Sequence, residues 1–289
     1  MLGVAAQRLH SDAETGEQLS HLAMATHYAG ALSDAISTAS LAGPAVAVAG
    51  AGGTVALWNT ADPAQPVRLA PLPADGTADK TLAASPDGRS LAVFDGRSPA
   101  VLWDVTDPAH PARKATLADE AGIVAVAFSP DGHTVAASNN DKNTILWTIA
   151  GAAPAPLATL PAAHPLKFSA DGRTGVTSGA VATVWDLTDP ANPVPGMKLA
   201  PPDWAKPVVE PLVEVNPKLP IVAVGSYADY VEFWDISNPG QPIRGFAKRV
   251  VAGDTQLSSM AFSPDGRTDR KSTRLNSSHS VTSRMPSSA

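Results

Sequence analysis

Three histidines in the middle of the chain are the side chains best suited to acid–base chemistry. His110, His133 and His164 could act as general bases in a hydrolase if they converged with carboxylates. His110 follows the motif VLWD in a proline-rich segment, whereas His133 follows the motif SPDG, so the two occupy different positions of a repeating pattern. We therefore do not expect them to converge. No GxSxG nucleophile motif occurs, and we predict no catalytic residues.

The sequence also predicts no metal or cofactor site. His21 and His27 lie six residues apart, which does not place them on one face of a helix. The chain has no cysteine, which excludes disulfides and thiolate metal sites. The glycine-rich stretch at 50–53 has no lysine and no helix after it, so we predict a tight turn rather than a phosphate-binding loop.

A turn motif, Ser-Pro-Asp-Gly, contains several of the aspartates. It occurs at 85–88, 129–132 and 263–266, with the related SADG at 169–172. Proline presets φ and glycine tolerates positive φ, so the chain can reverse tightly there. Apolar segments on both sides, such as 124–128 and 134–138, predict two strands joined by a hairpin. The aspartate is therefore predicted to form the turn rather than to act as a catalytic acid.

Tryptophan recurs with a regular period near the end of a third predicted strand. Its spacings are 45, 44, 38 and 49 residues, at Trp58, Trp103, Trp147, Trp185 and Trp234. A period of roughly 40–45 residues with a Trp-Asp mark is typical of a β-propeller blade. Four short strands cannot bury both faces of their sheet alone. We therefore expect the sheets to stack around an axis, with each Trp packed between neighbouring blades.

On these motifs, residues 33–268 resemble a WD40-repeat β-propeller, in particular the bacterial kind with LWDVTDP-type strand ends and FSPDGRT hairpins. The resemblance implies an all-β fold with about five blades and a truncated sixth, in a protein whose intact ring would have seven or more. It also implies that the protein holds other proteins or peptides. Blades are predicted at 33–75, 76–118, 119–160, 161–203 and 204–250.

Several polar positions of the family pattern are altered. The usual Gly-His before the first strand is missing, and His164 is its nearest relic. The family's aspartate six residues before Trp is matched by Asp141 and displaced by one residue at Asp229, and the other three sites hold Gly52, Arg97 and Gly179. We therefore expect the blades to depend more on apolar packing than on the family's Asp–His–Ser–Trp hydrogen-bond network.

Residues 1–32 do not fit the blade pattern and are predicted to form an N-terminal helical segment. The sequence SDAE at 11–14 is a capping box, and Leu19, Leu22 and Ala23 follow helical spacing, which predicts a helix over 12–29. The segment is similar to the helical connectors that precede propellers in bacterial signalling ATPases of the STAND type. That resemblance implies a nucleotide-binding domain upstream of Met1, with the propeller as a C-terminal arm.

The composition changes abruptly after Thr268. DRKSTRLNSSH at 269–279 resembles the translation of a short-read sequencing adapter, and SRMPSSA at 283–289 resembles its continuation in the same reading frame. We therefore predict that 269–289 is a non-native disordered tail on a fragment of a larger propeller. The alternative is a natural serine-rich disordered tail.

Charge and hydropathy narrow the class of partner. The net charge is −6 with no long basic run before residue 269, so we predict no nucleic-acid partner. No apolar stretch reaches the ~18 residues of a membrane span, and no secretory signal is evident, so we predict a cytoplasmic protein.

We predict a non-enzymatic scaffold or sensor that binds proteins or peptides, with a propeller hydrolase or lactonase as the alternative. Aromatic side chains that could anchor such a partner are Trp204, Tyr227 and Tyr230.

Overall fold

The structure is a computed structural model, and it describes residues 35–62, 65–73, 76–117, 121–151, 153–161, 166–179, 181–200, 211–225, 230–249, 256–263, 266, 268–274 and 282–284. Within these ranges the regular elements are strands, apart from one short 3-10 helix at Ala51–Gly53. The predicted N-terminal segment 1–32, with its helix at 12–29, lies outside the described residues.

Five sheets each contain four consecutive antiparallel strands joined as a meander. The first sheet contains β1 (Ala35–Ser40), β2 (Ala45–Gly50), β3 (Val55–Asn59) and β4 (Val67–Leu72). The second contains β5 (Thr81–Ala84), β6 (Ser90–Phe94), β7 (Ala100–Asp104) and β8 (Ala112–Leu117). The third contains β9 (Ile123–Phe128), β10 (Thr134–Asn139), β11 (Thr144–Thr148) and β12 (Ala155–Leu160).

The fourth and fifth sheets repeat the same order. The fourth contains β13 (Leu166–Phe168), β14 (Thr174–Thr177), β15 (Ala182–Asp186) and β16 (Val194–Leu199), and the fifth contains β17 (Leu212–Val215), β18 (Ile221–Gly225), β19 (Tyr230–Asp235) and β20 (Ile243–Arg249). Each of the five sheets falls inside one predicted blade. The strand pattern expected from the hairpin and Trp motifs is therefore confirmed.

A sixth sheet pairs the start of the sixth repeat with the tail. It contains β21 (Gln256–Phe262), β22 (Thr268–Arg274) and β23 (Thr282–Arg284) in sequence order. The predicted disorder of 269–289 is wrong for 269–274 and 282–284, because strand pairing uses backbone N–H and C=O groups, which residues with polar side chains also provide. The rest of the tail lies outside the described residues, and its non-native origin stays a prediction.

The chain divides into two compact units, one formed by residues 20–165 and the other by 1–19 with 166–289. The first three sheets belong to the former unit and the last three to the latter. Within each unit, the first strand of one sheet lies beside the first strand of the next, as β5 does with β1 and β9, and β17 with β13 and β21.

The inner strands carry the core and the fourth strand of each sheet faces solvent. All six residues of β10 and all four of β14 are buried, whereas β8 and β12 bury mainly their last residue. Small residues make this possible, since sequences such as TVAASN and TGVT have little bulk on either face. An inner strand with so little bulk can be buried on both faces.

Three of the five repeated Trp residues pack between neighbouring sheets, as predicted. Trp103 of the second sheet lies in a cluster with Leu57 and Leu72 of the first. Trp147 packs with residues of the second and third sheets, and Trp234 with residues of the fourth and fifth. Trp103, Trp147 and Trp234 are therefore core residues between neighbouring sheets.

Candidate functional site

The aspartates of the hairpin motif are held inside their own turns. Ser129 Oγ donates to Asp131 Oδ1 at 2.5 Å and accepts from Thr134 N at 2.9 Å, while Asp131 Oδ1 accepts from His133 N at 2.9 Å. Burial raises the pKa of Asp131, but the bonds from Ser129 and His133 outweigh it and leave the pKa lowered. The same bonds recur in the hairpins at 85–90 and 169–174. The prediction that these residues form turns is confirmed.

The aspartates that follow Trp also cap turns. Asp104 Oδ1 accepts from Thr106 N at 2.9 Å, and the bonds from Thr106 hold the pKa of Asp104 below its ordinary value. Asp186 accepts from Thr188 N and Asp235 from Ser237 N in the same way. These carboxylates therefore stabilise the start of the connection to the fourth strand.

The structure places the candidate histidines in separate elements. His110 Nδ1 lies 2.8 Å from Asp107 Oδ2 in an exposed turn after β7. His133 lies in the hairpin before β10, where it lines a polar cleft between the second and third sheets that does not include His110. His164 lies outside the described residues.

That polar cleft has a volume of about 230 Å³. Lys114 crosses it and donates from Nζ to the carbonyl oxygen of Ile149 at 3.0 Å. Its acidic side chains include Asp104 and Asp131, which are the turn-capping carboxylates described above. In the part of the chain that the structure describes, no group of three or more His, Asp or Glu side chains is placed to hold a metal ion. Nor does that part contain a helix long and apolar enough to cross a membrane.

One of the three predicted aromatic anchors is not exposed. Tyr230 is 2% exposed and belongs to the core, so its prediction as a surface anchor is wrong. Trp204 and Tyr227 lie outside the described residues. The three most exposed large apolar side chains among the described residues are instead on fourth strands, where Val67, Val194 and Ile243 are 58%, 58% and 67% exposed. Each of these three residues follows a proline and is the first residue of its strand. This pattern can be seen in the sequence, but a search for exposed Trp and Tyr side chains does not find it.

The hydrogen-bond network of the family pattern is partly retained. Trp185 Nε1 donates to Thr177 Oγ1 at 3.0 Å, and Ser138 Oγ and Thr144 Oγ1 are 2.8 Å apart in the third sheet. The buried Trp147 Nε1 has no hydrogen-bond partner among the described residues. The extent to which a sheet depends on apolar packing rather than on this network therefore differs between the third and fourth sheets.

A second cleft opens on the face of the second sheet that carries Trp103, and we call it the blade-2 cleft. Its volume is about 200 Å³, and its lining residues include Pro73, Lys80, Asp95, Pro99, Val101, Trp103, Arg113 and Thr116. Drug-sized ligands need pockets of about 300–1,000 Å³, so this cleft suits a single side chain or a small molecule.

The floor of the blade-2 cleft carries a buried ion pair. Lys80 Nζ lies 2.8 Å from Asp95 Oδ2, and both side chains are 5% exposed. Asp95 Oδ1 also accepts from the backbone N–H groups of Arg97 and Ser98. Burial raises the pKa of Asp95, but the bonds from Lys80 and the backbone outweigh it and lower the pKa overall. Asp95 is therefore ionised at neutral pH.

Comparison with known proteins identifies one repeat and the fold. Residues 113–148 match the family described as WD domain, G-beta repeat (WD40). The whole of this match lies in the second and third sheets. A chain in the crystal structure of the Mitotic Checkpoint Complex superposes with a TM-score of 0.60 at 19% identity, over 80% of this chain and 69% of that one. The fold is a β-propeller.

A second propeller supports the same conclusion. The β-propeller domain of Cps50 (Swd1) from Myceliophteria thermophila gives a TM-score of 0.62 at 17% identity, over 83% of this chain and 79% of that one. No curated protein matches the sequence. In all, 1520 chains of solved structures match this propeller, and a fold so widely shared does not by itself indicate a function.

Proposed function

We propose that this propeller is a non-enzymatic platform that binds proteins or peptides. The observation that carries the proposal is the set of exposed apolar side chains that open the fourth strands, on a propeller fold that is shared with a chain of the Mitotic Checkpoint Complex. The geometry of the carboxylates supports it, because Asp87, Asp131 and Asp171 are engaged in turn hydrogen bonds within their own hairpins.

The surface offers features that suit a protein partner. Exposed apolar side chains open the fourth strands at Val67, Val194 and Ile243, and Phe246 on β20 is 42% exposed. Apolar and aromatic side chains are the usual anchors of protein interfaces. The blade-2 cleft adds a recess that could receive one side chain of a bound peptide.

A finer proposal concerns the protein to which this propeller belongs. The similarity of residues 1–32 to STAND-type connectors suggests that it is the sensor arm of a larger cytoplasmic bacterial signalling protein. Sequencing the locus by an independent method would test this. An in-frame nucleotide-binding domain upstream would support it, and a promoter with a stop codon directly before Met1 would contradict it.

Binding can be tested by selecting from a random-peptide display library against the purified, immobilised protein. We expect a family of related peptides whose dissociation constants, measured by calorimetry, are about micromolar and whose binding is competitive. A library that yields no related sequences would contradict the proposal.

The hydrolase alternative is tested with the same preparation. Chromogenic esters and a panel of lactones should be turned over no faster than in buffer. Turnover that falls at least a hundredfold in His133→Ala, while His110→Ala is unaffected, would overturn the assignment and locate a catalytic base.

A further inference from the structure

The fourth strands of the fourth and fifth sheets carry a glycine at the same position. Gly196 is the third residue of β16 and Gly245 is the third residue of β20. A Cβ added at Gly196 would lie 3.1 Å from the carbonyl oxygen of Val184, and one added at Gly245 would lie 3.0 Å from that of Phe233. Val184 and Phe233 each directly precede the Trp of their sheet. The two glycines therefore occupy the same place in two copies of one sheet. In the other three four-stranded sheets this place holds Leu69, Lys114 and Leu157.

Gly196 receives the backbone of the next sheet. A Cβ added there would lie 2.1 Å from the carbonyl oxygen of Pro239, in the turn that follows β19. The backbone N–H of Met197 donates to the same carbonyl at 3.2 Å. Such a close approach of one backbone to another is possible only because glycine has no Cβ. The fourth sheet therefore shows what a glycine at this position of the repeat accommodates, which is the proline turn of a neighbouring Trp strand.

Gly245 has the same form but different surroundings. The three atoms nearest to a Cβ added there all belong to Phe233 of its own sheet, so none comes from the sixth sheet. After Phe262 the sequence contains no Trp and no Asn-Pro or Asp-Pro step, which is the pattern that supplies Pro239 to Gly196. The part of β20 whose burial is described, residues 243–247, is exposed throughout. In the fifth sheet this position is therefore accessible to a segment from another molecule.

An aromatic cluster adjoins Gly245. The ring centres of Phe246 and Phe233 are 4.7 Å apart, and Phe262 of β21 lies edge-on to Phe233 at 6.2 Å. Phe233 is buried, whereas Phe246 is 42% exposed. Large apolar side chains that are held in place by buried neighbours are the usual anchors of protein interfaces. We call Gly245, Phe246, Phe233 and Phe262 together the Gly245 seat.

We propose that the Gly245 seat binds a strand–turn segment of a partner protein, with an apolar strand ending in Trp and an Asn-Pro or Asp-Pro turn after it. The carbonyl oxygen of the partner's proline lies against Gly245 as that of Pro239 lies against Gly196, and the partner's apolar side chains pack on Phe246. The inference rests on the proposed protein-binding function and adds the location and chemistry of one recognition site.

The contact between the fourth and fifth sheets argues for this occupant, because it shows within the same chain what fits a glycine at this position. A second folded copy of the chain fits less well. Its own β19 is already paired on both sides, by β18 and β20, and its own Pro239 already lies against Gly196. The partner segment is therefore one that is not already built into a complete sheet.

The test uses two synthetic probes and the intact, ¹⁵N-labelled protein. The first probe is the acetylated and amidated peptide of residues 230–243, which contains β19 and the turn with Pro239. The second has the same composition in shuffled order. We expect the first probe to shift the backbone N–H resonance of Gly245 with a dissociation constant of about 0.1–1 mM, and the shuffled probe to bind at least about tenfold more weakly.

Two variants locate the binding, measured by anisotropy of a fluorescein-labelled probe. Gly245→Ala should weaken it at least about tenfold, because the added Cβ stands where the proline carbonyl must lie. Phe246→Ala should also weaken it, and Phe246→Leu, which keeps an apolar side chain, should give an intermediate affinity that unfolding would not produce. The matched control is Gly240→Ala in the same sheet, where the nearest atom to the added Cβ is Asn238 Oδ1 at an ordinary 3.5 Å. It should bind the probe as the parent protein does.

Three results would overturn the inference. The first is equal binding of the ordered and shuffled probes. The second is unchanged binding to both Gly245→Ala and Phe246→Ala. The third is a dimer in sedimentation experiments without peptide that Gly245→Ala converts to a monomer, because the occupant of the seat would then be a second copy of this chain.

The two proposals fail differently. If the display library yields related peptides that bind Gly245→Ala and Phe246→Ala normally, and the probe of residues 230–243 does not bind, the seat assignment is wrong and the peptide-binding function stands. If no peptide family is recovered but the probe still shifts the Gly245 resonance, the seat assignment stands and the proposed platform function is wrong.

Discussion

At the residue scale, the buried carboxyl group of Glu232 forms an ion pair with one neighbouring side chain, Arg244. Burial raises the pKa of Glu232, and the Arg244 guanidinium, 3.4 Å away, opposes this only in part. A carboxyl group with a raised pKa favours folding while it is protonated, and this contribution is lost as the pH rises through its folded-state value. Burial therefore makes the ionised form of Glu232 unfavourable, and the ion pair with Arg244 reduces that cost.

We predict that Arg244→Met lowers the free energy of unfolding by about 2 kcal/mol at pH 8. Removing one partner of a fully buried ion pair costs about 3–5 kcal/mol, and we expect a smaller loss here because the Arg244 side chain is 39% exposed. The loss should shrink near pH 4, where Glu232 is protonated, and the double variant Glu232→Leu/Arg244→Met should recover most of it. Urea titrations at both pH values measure this, and an equal loss at both would contradict the assigned role of Glu232.

Gly88 is required by both its backbone angle and its neighbours. Its φ is +66°, and a Cβ there would lie 2.1 Å from the backbone N of Ala42 in the first sheet. Gly132 occupies the same hairpin position in the third sheet with φ +71°, and a Cβ added there would have no neighbouring atom within 4 Å. Comparing substitutions at Gly88 and Gly132 therefore separates the cost of a positive φ from the cost of a steric clash with the first sheet.

We expect Gly132→Ala to cost about 1 kcal/mol of stability for its positive φ alone. Gly88→Ala should cost at least about 2 kcal/mol more, because the backbone of Leu41 and Ala42 must move. Thermal or urea denaturation of the two variants gives the difference directly. Equal losses would show that the first and second sheets are not in contact at this hairpin in solution.

At the scale of the element, the hairpins of the second, third and fourth sheets are each a small hydrogen-bond network around one serine. Ser129 Oγ takes part in three contacts, with Asp131 Oδ1, with the N–H of Thr134 and with the Thr134 carbonyl. Three hairpins share this arrangement, which explains why the serine and the aspartate recur together in the sequence. The network closes the turn and fixes the register of the two strands that it joins.

Ser129→Ala is expected to destabilise the protein by about 1–2 kcal/mol, since it leaves buried hydrogen-bonding groups unpaired. The Asp131 pKa is lowered in the folded state, so the stability that this carboxylate adds is present above its ordinary pKa of 3.8 and is lost as the pH falls. The effect of the substitution should therefore be smaller at pH 3 than at pH 7. The exposed Thr77→Ala serves as the control and should change stability by less than about 0.5 kcal/mol.

At the scale of the whole molecule, the sixth sheet differs from the other five. Its second strand, β22, reads TDRKSTR and contains no apolar side chain. The pairing of β22 with β21 therefore contributes backbone hydrogen bonds, while the sequence of β22 offers no apolar side chain whose burial would favour folding.

Deletion of residues 269–289 should accordingly change the free energy of unfolding by less than about 2 kcal/mol. A second variant with the same tail residues in shuffled order should match the intact protein, because backbone pairing does not depend on their order. Differential scanning calorimetry of the three proteins tests this. A large loss in the shuffled variant alone would show that the tail has a specific structure, and would contradict its prediction as a non-native addition.

The sequence by itself determined the repeating unit. Ser129, Asp131 and Gly132 form a turn from neighbours within six positions, so the local motif is enough to predict its structure. The Trp period then sets the number and length of the sheets, because four short strands per period leave few other ways to bury a regular apolar pattern. For these reasons the five four-stranded sheets could be predicted and were found.

Only the tertiary structure decided which side chains meet across strands and sheets. Lys80 and Asp95 pair across the ends of β5 and β6, and Arg244 reaches Glu232, Trp234 and the carbonyl of Ala200. The first contact depends on the pairing of two strands, and those of Arg244 depend on the register shift before Trp234 and on the approach of the fourth sheet, which no local motif marks. The tail strands and the burial of Tyr230 were missed for the same reason: pairing and burial are properties of the neighbours a residue acquires on folding, not of the residue alone.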